Sequence, residues 1–379
     1  MNFILDFTWY HIVQFLFVLT VLVYVHEWGH YWVARRNNVR VEVFSIGFGP
    51  EIYGWTNEAG TRWKISAIPL GGYVKMLGQS DLPEDGEDSE PISEEDKPFS
   101  FQYKTLAQRV AIVAAGPLAN FLLAMVLFSG LIMTVGTPRY YAGVGNVQEN
   151  SAAAEAGFEI GDRIVDIDSE TVTWFSDLVR IVSASPGVSL KITILRGETK
   201  RTLTATPKPK TRTTKDGKTI EIGLLGVRFD PKQAEYERQA PWTAAWMGIR
   251  QTAALTGNLM SYLGEMITGD RGAEDLGGPL RIAQLTGQMA RAGFDDLIFF
   301  MAALSVNLGL INLFPIPLLD GGHLMFFAAE AIRGRPLDAR AQEYSFRFGL
   351  ILVLILMVFA TWNDLVHLRV IEFFKDLMT

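Results

Sequence analysis

Four long apolar runs most constrain what this chain can fold into. Residues 9–34 carry almost no basic charge until Arg35 and Arg36, and further runs lie at about 106–135, 297–319 and 348–362. About 20 apolar residues are enough to cross a hydrocarbon core of roughly 30 Å as a helix. The hydrophobic share of 49% and the mean hydropathy of +0.18 are high for a soluble protein of 379 residues. The first run is not a signal peptide, since no Lys or Arg precedes it and no small-residue cleavage site follows a short apolar core. The chain therefore reads as a polytopic α-helical membrane protein with about four transmembrane helices.

Basic residues orient the spans. Arg35, Arg36 and Arg40 follow the first run, Lys104 and Arg109 flank the second, and Arg333, Arg335, Arg340 and Arg347 lie between the third and fourth. The positive-inside rule makes those loops cytoplasmic, and both termini and the segment from about 137 to 296 extracytoplasmic. The expected organisation starts with a first transmembrane helix (1–36) and a cytoplasmic loop (37–104). Within that loop, residues 41–78 read as short strands that dip into the membrane, and 81–96 as an acidic, disordered stretch. A second transmembrane helix (105–136) leads to a compact α+β domain (137–232). A membrane-proximal helical segment (233–296) on or near the outer face follows, then a third transmembrane helix (297–332) and a fourth with the C-terminus (333–379).

Composition narrows the chemistry. A net charge of −7 without a basic tract argues against nucleic acid as a partner. With no cysteine, disulfides and thiolate ligands are excluded, and a metal site must use His, Asp or Glu. Only five histidines exist. Two of them stand in His26-Glu27-Trp28-Gly29-His30 at the end of the first span. Residues four apart share a helix face, so His26 and His30 can grip one ion while Glu27 reaches a metal-bound water. Zinc suits such ligands, and catalytic zinc keeps three protein ligands plus water. Three ionisable residues at membrane depth are costly and usually functional. The best third ligand is Asp320, in Asn312-Leu-Phe-Pro315-Ile-Pro317-Leu-Leu-Asp320-Gly-Gly, where Pro315 and Pro317 must interrupt the helix. Asn312 could bond an unwound substrate backbone or the freed carbonyls of its own helix. His323 reads as outside the ligand set, and His11 and His367 as incidental.

HEWGH in the first span, GPLANF in the second and NLFPIPLLDGG in the third resemble the site-2 protease family of membrane metalloproteases. A PDZ-like insert between the second and third segments resembles the bacterial branch that includes the regulator of sigma-E protease, although this chain has room for one such domain rather than a tandem pair. The resemblance implies one Zn2+ bound by His26, His30 and Asp320, Glu27 as the base, and substrate handling by Asn312, with Pro315 and Pro317 beside it. It implies an active site on the cytoplasmic side of a bacterial inner membrane. The substrates it implies are single-span membrane proteins in regulated intramembrane proteolysis and stress response: an anti-sigma factor already cut once, or remnant signal peptides. Cleavage requires an unwound helix, which the loop at 41–78 could hold by strand addition or merely cover. In a circularly permuted PDZ fold the groove strand is Leu224–Phe229, with Gly223, Leu224, Leu225 and Gly226 forming the end-binding loop; a steric filter is the alternative. A metal or proton transporter, or a non-catalytic PDZ membrane scaffold, is the competing reading; neither needs HExxH, and no inverted repeat is evident.

Overall fold

The computed structural model describes residues 2–79, 92–213, 219–230, 233–269, 272 and 277–367, arranged as a membrane unit (1–131 and 241–379) and an inserted unit (132–240). The chain opens with helix α1 (Asn2–Arg36), whose last turn carries Arg35 and Arg36 against the negative end of the helix dipole. An antiparallel sheet follows, β1 (Val41–Thr56) with β2 (Arg62–Met76), in which residues 43–46 pair on both sides, with 62–65 and with 72–75. Its base is core: Val41 and Phe44 are fully buried, and Phe44 stacks on Trp63 at 4.2 Å. Its distal half exposes Phe48, Ile52, Tyr53 and Ile68. Residues 80–91, which include most of the acidic stretch, lie outside the described residues. The end of that stretch is ordered, contrary to the expectation of disorder through residue 96, because Asp96 pairs with Arg40 at 2.7 Å. Helix α2 (Leu106–Thr134) then supplies the second apolar span.

The inserted unit mixes short helices with strands. Strands β3 (Thr137–Tyr140) and β4 (Val144–Val147) lead to the short helix α3 (Ala152–Ala156). Ser151 Oγ accepts the Ala154 N–H of α3 at 3.2 Å, and Gly157 closes it at φ 83°, a left-handed position that glycine reaches without steric cost. Strands β5 (Arg163–Ile167) and β6 (Glu170–Thr171) precede helix α4 (Phe175–Ser183), where Asp177 accepts the Trp174 N–H at 3.1 Å. Strands β7 (Leu190–Arg196) and β8 (Thr199–Ala205) complete a sheet of order β6-β5-β7-β8 over a core that includes Ile164, Leu178, Ile192 and Ile194. Strands β9 (Lys208–Thr213) and β10 (Thr219–Leu224) form a hairpin. Then β11 (Val227–Phe229) pairs with β4, and β12 (Ala234–Glu237) with β3. The last pairing places residues 234–237 in the insert rather than in a membrane-proximal segment, since strand β3 needs a partner for its backbone.

An ion pair ties this unit's turns together. Arg196 donates to both carboxylate oxygens of Asp162, at 2.7 and 2.8 Å, and the Glu159 N–H donates to the same group at 2.8 Å. Burial opposes ionisation of Asp162. The bonds from Arg196 and Glu159, with the nearby charges of Arg196 and Arg201, together outweigh it and hold the carboxyl below its ordinary value. A depressed pKa in the folded state contributes stability above the unfolded value of about 3.9, and that contribution is lost as pH falls through the folded value. Asp162→Ala should therefore destabilise the insert by about 2–3 kcal/mol at neutral pH, with a smaller difference from wild type at pH 3. Hydrogen exchange of the β5 and β7 amides in the full chain reads this, and equal protection in variant and wild type at neutral pH would refute it.

Helix α5 (Pro241–Thr268) returns the chain to the membrane unit. It touches α2 where Gly248 meets Met125 and Ser129 so closely that a Cβ would lie 2.2 Å from Ser129 Oγ. Leu255 and Leu259 pack against the buried cluster of Ala124, Phe128, Ala302 and Val306. Helix α6 (Pro279–Ala292) packs on α1, with Gly287 against the buried ring of His11. Helix α7 (Phe294–Asn312) is the third apolar span. It ends at Asn312, and the LDGG motif opens a separate helix, α8 (Asp320–Arg333), so residues 297–332 are not one helix. Pro315 and Pro317 have no N–H to continue the ladder. Helix α9 (Ala339–His367) is the fourth span, and its buried Asp364 accepts the Gly278 and Arg281 N–H groups at the start of α6. The chain is a polytopic helical membrane protein with one α+β insert.

Candidate metal centre

Three elements bring the chemistry together. His26 and His30 lie one turn apart on α1 and are buried. Their Nε2 atoms are 3.2 Å apart. Asp320, the first residue of α8, puts Oδ2 3.1 Å from His26 Nε2 and Oδ1 3.5 Å from His30 Nε2. A tetrahedral centre with ligand bonds of about 2.0–2.1 Å has ligand–ligand edges of about 3.3–3.4 Å. The separations of His26 Nε2 from His30 Nε2 and from Asp320 Oδ2 lie close to that edge, and Asp320 approaches His30 through its other oxygen. Asp320 Oδ2 is buried without a hydrogen bond, a position that calls for a cation. Among the described residues, this is the group of His, Asp and Glu side chains whose ligand atoms lie within 4.8 Å of one another.

Asp320 is delivered by an unusual backbone. Leu318 sits at φ 103°, a conformation that costs a non-glycine residue about 1–3 kcal/mol and persists only where packing holds it. The packing is visible: a Cβ on Gly321 would lie 2.2 Å from Phe314 O, and one on Gly322 would lie 2.5 Å from Ile316 O. The two glycines let α8 begin directly on the 313–319 turn. Pro317 is buried, its carbonyl against Gly349 of α9, whereas Asn312 and Pro315 keep solvent access. His323, one turn beyond Asp320, stands with Phe326 and Phe346 and outside the converging group.

Glu27 is next to His26 on α1 and has His30, His26 and Asp320 as its charged neighbours. Strand β2 roofs it: a Cβ on Gly72 would lie 3.3 Å from Glu27 Cγ and 2.7 Å from Ser45 O. Beneath the histidines, α2 presents Ile112, Gly116 and Asn120, spaced four apart and so on one face. His30 Nδ1 donates to Ile112 O at 2.9 Å, and Asn120 Nδ2 lies 3.1 Å from His26 Nδ1. A Cβ on Gly29 would lie 2.4 Å from Ala115 O, so the glycine of HEWGH is what lets α1 and α2 touch. Gly116 and Asn120 had no assigned role in the sequence reading. An asparagine within an otherwise apolar span was the available signal, because polar groups there rarely lack a task.

In the insert, Gly223, Leu224, Leu225 and Gly226 do not form a uniform loop before one strand. The expected strand Leu224–Phe229 is interrupted at 225–226: Leu225 drops into the core at 3% exposure, and Gly226 turns the chain at φ 86°. Gly223 packs against Val182 O of α4, while Leu224, Val179 and Phe229 are exposed apolar side chains near α4, with Phe175 edge-on to Phe229 at 5.6 Å.

Comparison with known proteins adds the following. The description "Peptidase family M50" matches residues 14–356. A relative in Agrobacterium fabrum that bears the provisional name of a zinc metalloprotease is 45% identical over 359 residues, covering 94% of this chain and 95% of its own length. The regulator of sigma-E protease RseP of Escherichia coli is 33% identical over 460 aligned residues, covering 95% of this chain and 99% of its own. That alignment is longer than the 379 residues here, so RseP has segments without a counterpart in this chain. Among solved structures, the PDZ domain of an SdrC-like protein from Listeria innocua matches 26% of this chain and 99% of its own, at 17% identity and a TM-score of 0.20.

Proposed function

The chain belongs to peptidase family M50 and is a zinc metalloprotease of the site-2 protease type, and on that premise we propose that it cleaves single-span membrane proteins within or near their membrane segment. His26, His30 and Asp320 hold one zinc ion. The observation that carries this reading is the convergence of His26 Nε2, His30 Nε2 and the Asp320 carboxylate, whose Oδ2 lies 3.1 Å from the first nitrogen and whose Oδ1 lies 3.5 Å from the second. When bound, zinc polarises a carbonyl and lowers the pKa of a coordinated water to about 7. Glu27 takes a proton from the attacking water on its carboxylate and passes it to the nitrogen of the departing peptide. Apolar helices and the Gly72 strand above Glu27 limit bulk water at the carboxylate. Asn312, the last residue of α7, offers its amide to the backbone of an unwound substrate, beside the accessible Pro315. The β1–β2 sheet offers an unpaired strand edge for the same segment.

The basic residues after α1 and between α8 and α9 support a cytoplasmic-side active site in a bacterial inner membrane, with the insert extracytoplasmic. The exposed apolar cleft between α4 and Phe229 supports a role for the insert in meeting an exposed chain end. The name of the E. coli relative ties that protein to sigma-E regulation, and with the motif resemblance this supports an anti-sigma factor already cut once as substrate, with remnant signal peptides as the second candidate. The test is cleavage of a tagged single-span anti-sigma fragment by the full chain in liposomes. Stripping metal with a chelator should abolish cleavage, and equimolar zinc should restore it. Cleavage unaffected by complete zinc removal would end the proposal.

A further inference from the structure

A histidine that binds metal through Nε2 must carry its proton on Nδ1, and it needs an acceptor there to fix the ring. For His30 that acceptor is explicit, because Ile112 O lies 2.9 Å from Nδ1 and a carbonyl can only accept. For His26 the partner at Nδ1 is the side-chain amide of Asn120 at 3.1 Å. Asn120 is fully buried, and its Oδ1 has no hydrogen-bond partner. An amide N–H cannot accept a proton, so Nδ2 facing Nδ1 does not suit a histidine that binds metal through Nε2. Turning the amide over exchanges Oδ1 and Nδ2 with little change in shape and puts Oδ1 where an Nδ1–H would donate.

We infer that Asn120 is a positioning residue for the metal centre: its Oδ1 accepts the Nδ1 proton of His26 and so aims the Nε2 lone pair at zinc. This inference rests on the zinc site proposed above. The backbone around Asn120 is built to hold it. Ser305 of α7, itself fully buried, donates its hydroxyl to Asn120 O at 2.8 Å. Gly309, one turn further along α7, lies so near that a Cβ there would be 3.3 Å from Asn120 Cβ. Helix α2 thus orients both histidines, His30 with a main-chain carbonyl and His26 with a side chain. Only the second can be removed by substitution.

Zinc affinity of the full chain, measured in detergent by competition with a chromophoric chelator, tests this without reference to cleavage. Asn120→Leu keeps the volume and removes both polar atoms, and it should weaken zinc binding about 10–100-fold. Asn120→Asp keeps an acceptor and should bind within a few-fold of wild type. A purely space-filling role predicts the reverse order, with Leu tolerated and Asp harmful, and that result would overturn the inference, as would equal weakening by both. If Asn120→Leu fails to fold, Asn120→Ala takes its place with the same expected direction. His26→Ala is the control. If it binds zinc like wild type, the metal site and this inference fall together; if it loses zinc and Asn120→Leu does not, only the role of Asn120 falls.

Discussion

Glu27→Gln should leave zinc bound at the wild-type level and reduce cleavage about 10²–10⁴-fold. The substitution keeps the length and shape of the side chain beneath Gly72, so the packing of β2 on α1 is undisturbed. It removes only the capacity to take up a proton, since an amide oxygen accepts hydrogen bonds but is not a base near neutral pH. The proposed ligand atoms come from His26, His30 and Asp320, so metal content has no reason to change. The two readouts separate the protease from its rivals. A transporter or a scaffold using the same histidines would be indifferent to the amide, whereas a metallopeptidase loses turnover while keeping its metal. Wild-type cleavage by Glu27→Gln would remove Glu27 from the mechanism, and loss of zinc in the variant would make it a structural support for the site instead.

Gly116→Ala should disable the site as severely through a single methyl group. A Cβ at 116 would lie 2.2 Å from His30 Nε2, the atom that has to face the metal. The ring has little room to move away. Its Nδ1 is tied to Ile112 O one turn earlier on the same helix, and α1 itself is pressed against α2 at Gly29. Displacement of a reacting or ligating atom by about 1 Å costs on the order of 10²-fold, so cleavage should drop at least that far and zinc affinity should fall with it. Gly130→Ala is the matched control on the same helix, because nothing lies within 4 Å of a Cβ there. It should be neutral or gain up to about 1 kcal/mol from helix propensity. Zinc content and cleavage of the two variants, read side by side, decide the matter, and a zinc-replete, active Gly116→Ala would show that the histidine can shift without loss.

Much of the fold was legible because the bilayer imposes a crude rule. Helices α1, α2, α7 and α9 could be read from length and apolarity, since a lipid-facing helix must be apolar over its whole span. The misread segments are those where another element decides. Which helix α5 touches could not be read, because the close approach of Gly248 to α2 depends on both helices. Strand β12 is short and charged, and it exists because β3 needs a partner.

The candidate site divides in the same way. His26, Glu27 and His30 follow from local helical spacing, and Asp320 from an acid after two prolines, so the sequence by itself determined the class of chemistry and its setting in a membrane. The facing surface did not follow. Ile112 O is a main-chain atom with no sequence signature, Gly116 matters through the side chain it lacks, and Asn120 acquires meaning only at 3.1 Å from His26 Nδ1. The turn that holds Leu318 at φ 103° and aims Asp320 between two imidazoles is likewise a product of packing against Gly321 and Gly322. Spacing along one helix is a property of the chain, whereas the fit of one helix against another depends on residues about 90 positions apart. Tertiary structure alone decided which backbone carbonyl, which missing side chain and which amide would meet the histidines.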